Sequence, residues 1–335
     1  MSVPEQDWEQ AVALLRAAEE VVLVCHVAPD GDALGSMLGL GTALRAAGTR
    51  VVASWGSEPF EVPANYEFLP ALDLLVPAED VPSAPGLLVT LDSGSVDRLG
   101  TLADRVDAAG QVLVVDHHAS NTGYGTAQLV DPGAAATAVV VAELLDRLGL
   151  PLTQEVAAPL YTGLVTDTGS FKHASTSPQV HELAARLLAT GIRHELINRA
   201  IWDTQPFGYV QLLGEACARA RLEPGAARGL GLVWTEVGAA DLHRHGLGLA
   251  DVEGVIDVLR TAVEAEVALV VKCDPTDGLY RVSTRSKGAV DVGEVCTALG
   301  GGGHRFAAGY TSSADLRGTV EAVRDALDRA PHLAP

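Results

Sequence analysis

Four short stretches of the sequence bring acids and imidazoles together: His26-Val-Ala-Pro-Asp30-Gly-Asp32, Leu91-Asp92-Ser93, Asp116-His117-His118 and Thr166-Asp167-Thr168. In the first, Pro29 and Gly31 shape a turn that keeps one imidazole and two carboxylates near one another. Carboxylates gathered at one place repel strongly at neutral pH unless protons or cations compensate them. If Asp30, Asp32, Asp92 and Asp167 all ligate, their four negative charges balance two divalent cations and leave a site able to accept a hydroxide and a phosphate. An oxygen-rich set with some imidazole suits manganese better than magnesium, which rarely takes histidine, or structural zinc, which prefers thiolate. Two divalent cations per chain are therefore expected, manganese first, with cobalt or magnesium as substitutes. Taken one at a time, each stretch reads more readily as a helix cap or a loop. Caps need neither paired histidines nor convergence, so the joint pattern favours a metal site.

Such residues need a scaffold that delivers them to one edge. Residues 21–25, Val-Val-Leu-Val-Cys, form a short β-branched run suited to a buried parallel strand, and a loop and a helical stretch over 33–47 follow. The same order returns at 50–54, 87–91 and 112–115, with a helix over 137–148. This alternation predicts an α/β fold whose N-terminal, mostly parallel sheet is flanked by helices. In such sheets ligands collect outside the carboxyl ends of the strands, which is where three of the acidic stretches fall, the fourth, at Asp167, following another apolar stretch. The strand signal lapses after about Thr190, and the polar segment Ile197-Asn-Arg-Ala-Ile-Trp-Asp-Thr-Gln-Pro-Phe207 reads as part of a connection. The expected division is a catalytic metal-binding domain over 1–190, a helical linker over 191–222 and a smaller α/β recognition domain over 223–335. Within the last, strands are expected at 229–234, 267–272 and 280–285, then a Gly-rich turn and a closing helix over 315–329.

Composition narrows the function. A chain of 335 residues with 48% hydrophobic and 20% charged residues buries enough surface to fold unaided and suits two domains. Its 23 Lys and Arg against 43 Asp and Glu give a net charge of −20, which repels a polyanion. Aromatic residues at 4% are too sparse for a long row of base-stacking platforms. A short nucleotide held locally fits better than long duplex nucleic acid. The four cysteines are scattered without a CxxC, as in a reduced compartment. The N-terminal stretch is acidic rather than basic-then-apolar, and no apolar run reaches membrane-spanning length, so a cytoplasmic location away from membranes is expected.

The segments HVAPDGD, LDSGSVDR, DHHASN and GLVTDTGSF, in that order, resemble the four N-terminal motifs of the DHH phosphoesterase family, and STRSKG with GGGGHRFAAG resembles its DHHA1 signature. In length the chain is similar to the bacterial branch that hydrolyses short oligoribonucleotides and 3′-phosphoadenosine 5′-phosphate (pAp), with cyclic di-nucleotide phosphodiesterases as relatives. The resemblance implies that His26, Asp30 and Asp92 hold one metal. Asp32, Asp92, His117 and Asp167 hold the second, so that Asp92 bridges. It further implies that Asp116 orients a ligating histidine and His118 faces the phosphate, giving Asp92, Asp116, His117 and His118 as the catalytic set. A homodimer is implied as well.

Recognition is expected from the second domain. In the run Gly300-Gly301-Gly302-Gly303-His304, residues without a Cβ allow backbone N–H groups close to a phosphate, Gly302 and Gly303 foremost. Arg285 offers a planar fork to a terminal phosphate, and Lys287 and His304 add positive charge. Asn121, Arg98 and His173 flank the motifs and are candidates for substrate contact. Two other readings stand beside this one. A single-strand exonuclease of the same superfamily calls for more chain and a basic surface, and a nucleotide-sensing module that binds without turnover does not need intact metal ligands.

Overall fold

The strands that carry the acids are apolar through most of their length because the sheet they form is covered on both faces. The computed structural model describes residues 3–333, so the first two residues of the acidic N-terminal stretch and the last two of the chain lie outside it. The chain divides into two compact units, one ending at Thr204 and the other beginning at Gln205.

In the first unit, helix α1 (Glu5–Ala17) leads into strand β1 (Glu20–Cys25), helix α2 (Gly31–Ala46) and strand β2 (Arg50–Trp55). After a run of 3₁₀ turns come β3 (Leu87–Leu91), the short α3 (Asp104–Ala108), β4 (Gln111–Asp116) and β5 (Ala127–Val130). Helices α4 (Thr137–Leu148), α5 (Gln154–Asp167), α6 (Pro178–Leu188) and α7 (His194–Trp202) complete the unit. The five strands are all parallel in the order β2-β1-β3-β4-β5. Along β1, Val21, Leu23 and Cys25 face the core shared with α1, α2, α4 and α5, while Val22 and Val24 face a second layer with Leu88, Leu99, Leu102, Val112 and Val114. The α/β architecture with a parallel sheet is as the alternating pattern predicts. Strand β5 carries only four residues with half-buried positions, too weak a signal to stand out in the sequence.

Helices α2 and α5 pack almost backbone to backbone. Gly31, Gly35 and Gly39 recur every fourth residue on α2 and so line one face. A Cβ on Gly35 would stand 2.3 Å from the carbonyl oxygen of Pro159, and one on Gly39 would stand 2.7 Å from Leu160 Cδ2. From the other side, a Cβ on Gly163 of α5 would meet Asp32 Oδ1 at 2.6 Å. This close approach brings the first turn of α2 beside the last turn of α5.

The second unit contains α8 (Phe207–Arg219), β6 (Arg221–Glu223), the single turn α9 (Ala226–Gly229), β7 (Leu232–Val237), α10 (Ala239–His245), α11 (Val255–Leu259) and β8 (Val267–Cys273). It continues with β9 (Tyr280–Ser286), α12 (Val292–Ala298), β10 (Gly302–His304), β11 (Ala307–Ser312) and α13 (Leu316–Arg329). Its mixed sheet runs β10-β11-β9-β8-β7-β6, with β7 and β8 parallel and the other pairs antiparallel. Two expectations are corrected here. The strand placed at 229–234 starts at Leu232, because Gly229 and Gly231 take φ of +90° and +88° and turn the chain. The end of the glycine run is an edge strand rather than a turn, Gly303 pairing with Ala308 and His304 with Ala307. Among the described residues no helix is long and apolar enough to cross a membrane, and all four cysteines are free thiols.

Candidate metal centre

Strand register aligns the acids. Cys25 pairs with Leu91 and Leu91 with Val115, so the next residues, His26 and Asp92 just past their strands and Asp116 at the end of β4, stand side by side at the carboxyl edge of the sheet. This edge includes the switch point between the paired strands β1 and β3, where the strand order turns from β2 on one side of β1 to β3 on the other, and open α/β sheets use such a point for ligands. Asp167 arrives differently. It ends helix α5 rather than a strand, and the glycine-mediated contact of α2 and α5 carries it to the same rim. The chain then leaves through three successive left-handed residues, Gly169, Ser170 and Phe171, with φ of 56°, 59° and 65°. Such conformations are costly for Ser and Phe and cluster at functional sites.

The candidate ligand atoms form three overlapping groups, His26 with Asp30 and Asp92, Asp32 with His117 and Asp167, and Asp92 with His117 and His118; within each group the atoms lie within 4.8 Å of one another. His26 Nε2 stands 3.5 Å from Asp92 Oδ2 and 3.8 Å from Asp30 Oδ2. His117 Nε2 stands 3.1 Å from Asp167 Oδ2 and 3.6 Å from Asp92 Oδ1. Asp92 thus turns one oxygen to each imidazole. It does so from a left-handed backbone, φ +55°, which Asp tolerates better than most residues.

Each of these imidazoles is oriented from behind. His26 Nδ1 lies 2.8 Å from the carbonyl of Val27, and His117 Nδ1 lies 3.3 Å from that of Ala134, so in both rings Nε2 is the atom presented to the acids. Asp30 is split between two tasks. Its Oδ1 accepts the N–H groups of Asp32 and Ala33, both at 3.0 Å, as the N-cap of α2, and Oδ2 faces His26. Asp32 is fully buried. It accepts the backbone N–H groups of Thr137 at 2.5 Å and Ala138 at 2.9 Å and the Ser36 hydroxyl at 3.1 Å.

Asp116 is placed differently from the expectation. Its Oδ1 accepts the backbone N–H of His117 at 2.8 Å and faces His118 Nδ1 at 2.7 Å, so its side-chain partner is His118 and not the imidazole beside Asp167. The reason is local, since Asp116 ends β4 and the two histidines follow in the turn. Asn121 donates to Asp116 Oδ2 at 2.6 Å and accepts from the N–H of Gly123, so its amide braces this unit from within.

Electrostatics record a surplus of negative charge. Burial works against protonation of His26, yet Asp30 and Asp92 hold its pKa at about 10. Burial likewise opposes protonation of His117, and Asp167, Asp32 and Asp92 raise it to about 10. Burial pushes the Asp32 carboxyl well up, helped by repulsion from Asp92 and Asp167. Asp167 rises by burial as well, the His117 interactions only partly offsetting it. Protons here do what divalent cations do better. The donors fit such ions: carboxylate oxygens and imidazole Nε2 atoms, with no thiolate in any of the groups.

In the second unit, Arg285 pairs with Ala307 and Ala307 with His304, which puts Arg285 and His304 on one face of the sheet two strands apart. Arg285 Nη1 donates to the carbonyl of Thr284 at 3.0 Å. Lys287 lies past the end of β9, exposed, with Nζ on the carbonyl of Ala262. A cavity of about 500 Å³ is lined by Asp291, Gly293, Glu294, Thr297, Gly303 and Arg305, among others. Of the expected recognition residues it takes in Gly303 and leaves out Arg285, Lys287 and His304. Gly303 is sterically required, since a Cβ there would come within 2.6 Å of Ala308 Cα, whereas Gly302 faces open space.

Two contacts at this acidic rim carry no signal in the sequence. Thr137 and Ser36 both bond Asp32, and Thr137 lies 105 positions away in the chain. The start of a helix at Thr137 is legible, but its meeting with Asp32 is set by the packing of α4 on α2.

Comparison with known proteins agrees with this geometry. The model for the DHH family N-terminal domain matches residues 20–164, and that for the DHHA1 domain matches residues 237–332. The chain belongs to the DHH family of phosphoesterases. It is 37% identical over 338 residues, 97% of each chain, to the bifunctional oligoribonuclease and PAP phosphatase NrnA of Thermus thermophilus. An exopolyphosphatase-related protein from Bacteroides fragilis shares its fold with a TM-score of 0.89 at 21% identity, covering 97% of this chain and 96% of that one. The manganese complex of RecJ from Thermus thermophilus matches with a TM-score of 0.57 at 17% identity, covering 99% of this chain and 56% of that one.

Proposed function

We propose that this chain is a two-metal phosphoesterase that hydrolyses short oligoribonucleotides to mononucleotides and pAp to AMP, with cyclic di-nucleotides or their linear products as further substrates. The observation that carries the reading is the meeting of His26, Asp92, His117 and Asp167 within 4 Å contacts at one sheet edge. Residues His26, Asp30 and Asp92 hold one divalent ion and Asp32, Asp92, His117 and Asp167 the other, manganese being favoured by the mixed oxygen and nitrogen donors. When bound, such a pair activates water and stabilises the entering and leaving oxygens of an in-line displacement.

The protein's own groups do the rest. His118, held by Asp116 and through it by Asn121, faces the scissile phosphate and is available as a proton donor to the leaving oxygen. Asp116 supports that proton, since burial is overcome by His118 and Asn121, which keep its carboxyl below the usual range while it raises His118 in turn. Residues 1–190 serve catalysis and 223–335 recognition, joined by 191–222. In the latter, Arg285, Lys287, Gly302, Gly303 and His304 take the far phosphate. A net charge of −20 supports small nucleotides over long duplexes. A cytoplasmic homodimer is the assembly proposed.

Side-by-side assays in manganese with a dinucleotide, pAp, cyclic di-adenylate, a long single strand and pyrophosphate test this reading. Turnover of the first two ahead of the last two is the expected result. Preference for the long strand supports the exonuclease instead, and tight binding of a dinucleotide without release of mononucleotide supports a sensor.

A further inference from the structure

Thr137 opens α4, is fully buried, and touches two of the acids at the rim. Its hydroxyl donates to Asp92 Oδ1 at 2.9 Å. Its backbone N–H donates to Asp32 Oδ2 at 2.5 Å, and that of Ala138 to Asp32 Oδ1 at 2.9 Å. Asp32 comes from the first turn of α2 and Asp92 from the end of β3, so the first residue of α4 ties together carboxylates from two other elements.

Acceptor geometry shows what this tie decides. A carboxylate has about four lone-pair directions. Thr137, Ala138 and Ser36 occupy three on Asp32, which leaves one for a cation and makes Asp32 a monodentate partner. On Asp92 the Thr137 hydroxyl fixes the rotation of the carboxylate, whose terminal torsion is otherwise broad. That rotation decides whether Oδ2 meets His26 while Oδ1 meets His117. The N–H groups at the start of α4 also face the buried Asp32 charge with the favourable end of the helix dipole.

We propose that Thr137 is a positioning residue of the metal centre, whose hydroxyl sets the orientation of Asp92 between the two ion sites and whose backbone sets the single open direction of Asp32. The inference rests on the two-metal reading of this rim. Its hydroxyl part is open to mutation, because Thr137→Val keeps the shape and Thr137→Ser keeps the donor.

The test compares wild type, Thr137→Val, Thr137→Ala and Thr137→Ser by manganese titration calorimetry, by the magnetic coupling of the bound manganese pair in electron paramagnetic resonance, and by kcat and KM on a dinucleotide. Melting of the chelated proteins controls for folding. Val and Ala should weaken one manganese site and lower kcat by about 10–100-fold with KM within about twofold, as losses behind metal ligands do. Both should also lose or alter the coupling signal, and Ser should restore all three. Should Val prove unfolded, the Ala and Ser pair carries the same comparison. Manganese affinity, coupling and kcat in Val or Ala indistinguishable from wild type overturn the proposal, as does an equal loss in Ser, which would assign the effect to the methyl group. A wild-type protein that binds no manganese pair removes the two-metal reading and this inference with it, and it is recognised before any variant is compared.

Discussion

At the scale of single residues the centre depends on Asp92, which faces both imidazoles from a left-handed backbone position. Asp92→Ala and His117→Ala should each reduce manganese-dependent turnover to below about one hundredth of wild type, while far-ultraviolet circular dichroism stays unchanged. The protonation pattern adds a pH prediction. In the metal-free fold His26 and His117 keep their protons up to about 10, against 6.5 ordinarily, and Asp32 and Asp167 are raised above 3.8. All four bind protons more tightly folded than unfolded. The stability they give is present below the unfolded values and is lost as pH rises through the folded ones, for the imidazoles between about 6.5 and 10. Manganese must displace these protons. The rise in melting temperature on adding manganese should therefore be larger at pH 8.5 than at pH 6, and a rise that shrinks with pH contradicts the assignment. Of these residues the identity was legible in the sequence, because several short Asp- and His-bearing motifs in one α/β domain jointly have few other uses. Their partners were less so, as the pairing of Asp116 with His118 shows, because a sequence does not state which way a side chain turns.

At the scale of elements, the centre exists because α2 and α5 touch along glycines. Gly35→Ala places a methyl against the Pro159 carbonyl, 2.3 Å from the ideal Cβ. The change should cost about 1–3 kcal/mol as an overpacking defect, outweighing the helix propensity gained, and lower the melting temperature of the metal-free protein. Because the same shift separates Asp32 from Asp167, manganese affinity should fall with it; an unchanged melting temperature and affinity would show that the two helices tolerate separation. The periodic elements were readable, with 87–91 and 137–148 matching strand β3 and helix α4 end to end. The short or glycine-rich ones were not. Residues 127–130, 221–223 and 302–304 give too few side chains for a period to show, and they are strands because neighbours offer free backbone partners.

At the scale of the whole molecule, the residues proposed for catalysis and those proposed for recognition lie in different compact units, so a defect in one set should leave the other intact. Arg285→Ala should raise KM for a dinucleotide about tenfold or more, the loss of one charged hydrogen-bonding partner, with manganese binding unaltered. An unchanged KM excludes Arg285 from the phosphate site. The division into an α/β domain followed by a smaller one was visible in where strand signals lapse and resume, whereas the mixed strand order of the second sheet was not, because pairing between distant strands leaves no local trace. The central claim, a pair of divalent ions gathered at the carboxyl edge of the parallel sheet, is tested most directly by anomalous diffraction from a crystal soaked in manganese. Two peaks roughly 3.5–4 Å apart, one beside His26 and one beside His117 with Asp92 between them, are the predicted result, and an edge without manganese contradicts the account.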